Sequence, residues 1–213
     1  MLVRTVAGLG YSIVIGLSAA VVSAVIAVIL GFIAVLGGRK ADAVVAWLID
    51  LMMGIPHIIL LILISFALGK GLWGVALGIA FTHWAGLARI VRAEVMQCRS
   101  SLYVTASRRF GKSWLYIARR HILPFVLPQV IVGLVLLFPH AILHEAAITF
   151  LGFGLSPDTP AIGIILSESM NYLVKGMWWL AVFPGLSLVS VVLLFDAVGN
   201  SLRKIVDPFT VQE

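Results

Sequence analysis

Residues 103–124 read YVTASRRFGKSWLYIARRHILP, the longest polar interruption in a chain otherwise built of apolar blocks. Eight of the chain's fifteen Lys and Arg residues fall between Arg89 and His121, against a single acid, Glu94. The same stretch is patterned. Leu102, Ala106, Phe110 and Trp114, with Ile117 close behind, recur at helical spacing and make an apolar stripe. Gly111 divides the segment and predicts a turn between two short helices. Pro124 stands where a new helix is expected to begin, a position proline tolerates. A basic helical hairpin with an aromatic stripe predicts a docking surface; the plainer alternative is a juxtamembrane loop held by anionic lipid.

Working outward, the 213 residues are 62% hydrophobic and only 11% charged, a balance foreign to soluble domains. The net charge of +6 would point to nucleic acid in a soluble protein, but most of it lies in one loop between apolar blocks, so membrane topology explains it instead. The single cysteine, Cys98, excludes an intrachain disulfide and a cysteine-based metal cluster. Five segments approach the ~20 apolar residues that cross a hydrocarbon core: about 11–36, 44–68, 72–91, 125–151 and 177–202. The first, at roughly 25 residues, exceeds the ~7–15 of a signal-peptide core and reads as a span. The fold class is therefore all-α, a single polytopic transmembrane bundle over 1–213. Counting basic residues places the 96–123 loop, Arg39-Lys40 and the tail with Arg203 and Lys204 on the cytoplasmic side. Arg4, Lys70, Lys175 and the 152–176 loop then lie outside. Within that loop, Pro157, Asp158 and Pro160 mark a turn, and apolar residues at 162, 165, 166, 170 and 173 predict a short helix lying on the membrane face.

Two spans carry interruptions, Gly54-Ile55-Pro56 in the second and Pro128 and Pro139 in the fourth. Helix breaks at membrane depth are tolerated where protein or a water-filled cavity satisfies the freed backbone, so they predict a pathway. The chain has no GxxxxGK[ST] loop, no acidic cluster for Mg²⁺ and no supported Ser/His/Asp arrangement, which excludes a self-contained ATPase or hydrolase. Four of five histidines, His57, His83, His140 and His144, fall inside predicted spans, where ionisable residues mark ion or substrate pathways. His140 and His144, four apart, share a helix face and predict a pair of metal ligands. Imidazole suits Ni, Cu, Zn and Fe alike. Glu145 is a candidate oxygen ligand, although the ~100° step per residue turns it from the His140 side. The alternative is that each imidazole hydrogen-bonds across a helix interface.

The loop resembles that of ATP-binding-cassette importer permeases, which reads EAA, three residues, Gly, nine residues, Ile, any residue, Leu-Pro. Thr105, Ala106 and Ser107 stand at the EAA positions, Gly111 at the glycine, His121 at the isoleucine, and Leu123-Pro124 close the pattern. Thr for Glu, Ser for the second Ala and His for Ile are departures. HAILHEAAITFLGFG at 140–154, THWAGLARIVRAEV at 82–95, FLGFGLSPDTPAIGIIL and FPGLSLVSVVLLFDAVGNSLRKIVDP look like the corresponding stretches of dipeptide, oligopeptide and nickel permeases. The paired histidines and His83-Trp84 look more like the nickel permease subunit of the C type.

The resemblance implies a type I importer fold in the bacterial or archaeal cytoplasmic membrane, with no cofactor bound by this chain. Its expected partners are a homologous permease subunit, two ATPase subunits holding ATP and Mg²⁺, an external solute-binding protein and membrane lipid, with no nucleic acid. Tyr103, Thr105, Ala106, Ser107, Arg108, Arg109, Phe110, Gly111, Lys112, Trp114, Leu123 and Pro124 would couple to the ATPase, with Phe110 and Trp114 inserting into its groove. The expected substrate is nickel or another transition metal, free or chelated; the alternative is a dipeptide or oligopeptide. A non-transporting scaffold or an independent carrier is the further alternative, and the internal repeats expected of a carrier are not seen. In the related permeases another helix and an external loop precede this region, so the first span would match their second. The chain is then expected to be either a naturally short member or one with a misplaced start.

Overall fold

Without water to satisfy the backbone, long apolar runs in lipid must close their hydrogen bonds internally, and here they do so as helices. The computed structural model describes residues 1–206. Its helices are α1 (Leu2–Leu36), α2 (Arg39–Gly54), α3 (His57–Ala67), α4 (Leu72–Arg99), α5 (Leu102–Arg109), α6 (Trp114–Ile117), α7 (Leu123–Phe150), α8 (Ile162–Leu173) and α9 (Trp179–Val206). No strand occurs among the described residues. Four helical stretches are long and apolar enough to cross a membrane: α1, α4, the run from α6 through α7, and α9. The bent pair α2–α3 would make a fifth. The Asp207-Pro208 end of the closing sequence pattern lies outside the described residues.

The centre of the bundle is the α1–α4 pair. Ala20, Ala24, Ala27, Gly31 and Ala34 line the buried side of α1. Small residues at this spacing let two backbones approach, which is how helices associate without a hydrophobic driving force. A Cβ on Gly31 would stand 2.6 Å from Val91 Cγ1 of α4. The Ser23 hydroxyl, fully buried, donates to the Ala80 carbonyl of α4 at 2.7 Å. One such interhelical bond contributes ~0.6 kcal/mol in a bilayer.

Proline chemistry shapes the next two elements. Pro56 has no N–H, and its ring disfavours a helical Ile55; Ile55 is extended (φ −90°, ψ 135°) and α2 ends at Gly54. The chain restarts as α3 at an angle of 99°, so the second expected span is a broken pair and not one straight crossing. Pro124 stands in the first turn of α7, where a helix start is expected. The chain is already helical from Trp114 and enters α7 through a π-helical turn at Ala118–Ile122. Pro124 cannot donate to the Arg120 carbonyl, and a widened turn absorbs the missing bond.

α1 and α4 overrun their expected limits by the most. α1 begins at Leu2, ahead of residue 11, and α4 continues to Arg99, past residue 91. Arg92 explains the second case, because its Nε and Nη2 bond both oxygens of Asp42 on α2 at 2.5 and 2.7 Å. The charge is thus carried in a paired, bidentate fork beside the helix. α8 is the short helix expected in the 152–176 loop. Ile162, Gly163, Ile164 and Ile165 are buried against the bundle, and Arg4 of α1 pairs with Glu168 at 2.5 Å. Gly163 sits so close to α7 that a Cβ would meet the Ala146 carbonyl at 2.5 Å.

Candidate functional site: a histidine-lined cavity and a basic elbow

The break at Gly54-Ile55-Pro56 opens onto a cavity of about 560 Å³. Met52, Met53, the break itself, His57, Thr82, His83, His140 and His144 line it. Counted along α4, His83 lies ~17 Å from one end and ~24 Å from the other, so the cavity sits near the middle of that helix's length. The last turn of α2, which borders this hollow, leaves carbonyls without helical partners, while at the start of α3 the N–H groups of Ile59 and Leu60 bond the Pro56 carbonyl. Such ends persist at membrane depth only beside water or protein.

Three imidazoles from three helices meet on the cavity wall: His57 opens α3, His83 lies in α4 and His144 in α7. Their ring centroids are 4.3, 4.7 and 5.0 Å apart, all edge to face. One ligand nitrogen from each falls within 4.8 Å of the other two. The backbone sets the protons. His144 Nδ1 lies 2.7 Å from the His140 carbonyl and His83 Nδ1 lies 3.0 Å from the Ile79 carbonyl. A carbonyl only accepts, so both Nδ1 atoms are donors, and each neutral ring keeps its Nε2 lone pair. His57 Nε2 lies 3.2 Å from Nδ1 and 3.3 Å from Nε2 of His83.

His140, expected to pair with His144, lies one turn from it but outside this group of three nitrogens. The His140 ring lines the cavity but stands apart from the cluster, and it is the His140 carbonyl that serves, by orienting His144. Glu145 stands outside that group as well. It is 0% exposed and does not line the cavity. Its Oε1 accepts the Thr149 hydroxyl at 3.0 Å, and the Thr149 oxygen in turn accepts the backbone N–H of Leu155 at 3.3 Å. Ser12 of α1 accepts the Ile162 N–H at 3.3 Å in the same region. Thr149 therefore fastens the 152–161 loop to α7 through Leu155, and Glu145 holds the Thr149 hydroxyl in place. Sequence spacing offered no signal for His57 joining the cluster, because it comes from another helix.

At the bundle end where α4 finishes, α5, α6 and the π turn form the basic elbow. The apolar stripe divides in three. Ile117 is fully buried, while Leu102, Phe110 and the neighbouring Leu115 are 89, 83 and 79% exposed. Trp114 lies between these extremes, with the guanidinium groups of Arg99 and Arg108 each 5.0 Å from its ring. Arg99 also donates to the Val35 carbonyl at the end of α1. Trp114 is thus an internal clamp that ties the elbow to α4 and, through Arg99, to α1. Gly111 turns the chain at φ +74°, in the left-handed region, and Arg108 Nη1 closes that turn onto the Lys112 carbonyl at 3.0 Å. Ser107 and His121 lie 3.1 Å apart, and Tyr103 meets the Cys98 thiol at 3.0 Å. Thr105, Ala106, Arg109, Lys112, Leu123 and Pro124 are exposed. Trp114→Ala is expected to loosen the elbow while leaving the bundle assembled, read as faster tryptic cleavage after Arg108 and Arg109 with unchanged expression. An unchanged cleavage rate would remove Trp114 from this role.

Long apolar helices, a broken helix over a polar cavity and a basic elbow at one end define a multi-spanning membrane protein of the permease type. Residues 12–212 match the family described as binding-protein-dependent transport system inner membrane component, and the chain belongs to that family, one of transport components and not enzymes. It is 31% identical to the dipeptide transport system permease protein DppC of Bacillus subtilis over 96% of this chain, and spans 64% of that relative's length. It is 35% identical to the di/tripeptide transport system permease protein DppC of Pseudomonas aeruginosa over 98% of this chain and 68% of the relative. In fold it matches a chain of the inward-facing MetNI methionine ABC transporter, with a TM-score of 0.72 over 97% of this chain and 98% of that one at 20% identity. A chain of an amino acid ABC transporter superposes with a TM-score of 0.64 at 15% identity, over 97% and 92%. The fold is that of a type I importer permease.

Proposed function

We propose that this chain is the permease subunit of an ATP-driven importer and forms half of its translocation pathway. The observation that carries the reading is the broken helix α2–α3 above an open cavity, joined through α4 to an elbow whose exposed side is apolar and basic. The elbow faces the cytoplasm, where its surplus of arginines belongs. There Phe110, Leu102 and Leu115 fit a groove on an ATPase subunit, and Arg109 and Lys112 meet an acidic rim; buried aromatics hold such interfaces and rim charges steer them. Hydrolysis of ATP belongs to two such subunits, a homologous permease supplies the other half of the pathway, and an external binding protein delivers the cargo.

The cargo we infer is a short peptide. The relatives named above are dipeptide and di/tripeptide permeases, and the end of α2 and the start of α3 both border the cavity, suiting a guest with an ammonium and a carboxylate. A second reading, nickel or another transition metal, free or chelated, is favoured by one observation, the meeting of His57, His83 and His144. The test is reconstitution in vesicles with the partner permease, ATPases and binding protein, followed by uptake of labelled dipeptide and labelled nickel. Dipeptide accumulation that stops without ATP is expected. Accumulation by the chain alone, without nucleotide, would overturn the importer reading.

A further inference from the structure

We infer that His57, His83 and His144 form a three-imidazole metal site on the cavity wall, taking a borderline divalent transition metal and leaving coordination positions open to the hollow. The inference deepens the second reading of the cargo and rests on it, but its test reads metal binding and not uptake.

Three features carry it. The first is convergence. Three neutral rings from α3, α4 and α7 bring a ligand nitrogen each within 4.8 Å of the others. Nitrogens bound to one tetrahedral ion at ~2.0–2.1 Å stand ~3.3 Å apart, so closure needs only small ring rotations. His57 stands at the first position of α3 beside the cavity. The second is preparation of the ligands. His83 and His144 each give their Nδ1 proton to a carbonyl four residues earlier, which fixes the tautomer and aims Nε2 outward. Metal-ligating histidines are held in this way, by the hydrogen bond on the opposite nitrogen. The third is access: all three rings are half-buried and border the open cavity.

The chemistry of the donors narrows the guest. Imidazole suits Ni, Co, Cu and Zn, and excludes Ca and Mg as good fits. Met52 and Met53 on the same wall add soft sulfur and no charge. No carboxylate lines the cavity among the described residues, since Glu145 points elsewhere. A bare dication would therefore meet no opposite charge among the cavity residues. The open positions are then completed by water or by anionic donors that arrive with the ion, such as the carboxylate and amine of an amino acid or short peptide.

The experiment uses the full chain purified with its partner subunits, titrated with Co²⁺ and read by visible absorption, calorimetry and X-ray absorption. The expected result is one Co²⁺ per chain in mixed imidazole and oxygen coordination, displaced by Ni²⁺. His83→Asn and His144→Asn retain the donor to the backbone carbonyl while deleting the ligand nitrogen, and each should weaken binding at least ~10-fold, because even outer partners of such ligands carry that much. His121→Ala, in the elbow and not among the cavity-lining residues, should bind Co²⁺ as the unaltered chain does. Should an Asn variant fail to assemble, His57→Phe, at the first position of α3, takes its place with the same expected loss. Absence of Co²⁺ on the intact complex, or equal affinity in all the variants, overturns the site. Loss of uptake with binding intact would count against the importer reading alone.

Discussion

Phe110→Asp is expected to abolish association with the ATPase subunits while the chain itself folds and reaches the membrane. The side chain is 83% exposed and precedes the Gly111 turn, so its replacement leaves no void in the bundle. The elbow beneath it is held independently, by Val104, Ile117 and Ile122 in the core and by the Trp114 clamp. An aromatic anchor at the centre of an interface contributes ~2–4 kcal/mol, and burying a carboxylate in its place adds a further penalty. At 1.4 kcal/mol per decade, affinity should fall by ~30-fold or more. Co-purification from membranes checks it. A Phe110→Asp chain that retains its full complement of ATPase would show that the exposed aromatic does not dock there.

Gly163→Val is expected to prevent stable accumulation of the chain altogether. The new Cβ would stand 2.5 Å from the Ala146 carbonyl and 2.7 Å from Thr149 Cβ, both on α7. The nearest group is backbone and cannot rotate away. Relief requires α8 to lift from α7, which also strains the Ser12 bond to the Ile162 N–H. Overpacking of rigid sites costs ~1–3 kcal/mol and more where backbone must shift. Quantitative blotting of membranes at matched transcript levels, with Gly163→Ala as the milder step, provides the measure. Equal abundance of the Val variant would mean α8 is not anchored through this contact.

The all-helical membrane character was legible from composition and from the length of the apolar runs. Proline placement announced the interruption after Gly54, since backbone chemistry at Pro56 acts locally. The helix limits were harder to read: α4 runs through Arg92 because Asp42, fifty residues earlier, supplies its counter-charge. Spacing alone joined His140 to His144, being blind to contacts between helices. The structure joins His144 instead to His57 and His83 from α3 and α4. Glu145 shows the same limit, because a carboxylate beside a cavity and one tied to Thr149 look identical in sequence. The apolar stripe in the elbow could be seen, but its partition among core, clamp and open surface depends on where Arg99 and Arg108 reach.

Because each of the three imidazoles rides on a separate helix, their grip on a guest is a gauge of how those helices stand relative to one another. A slide of α7 past α4 by an ångström or so would pull one nitrogen out of range while leaving every backbone bond of either helix intact. Such a seat tightens and slackens with the shape of the whole bundle, so holding and letting go need no dedicated latch.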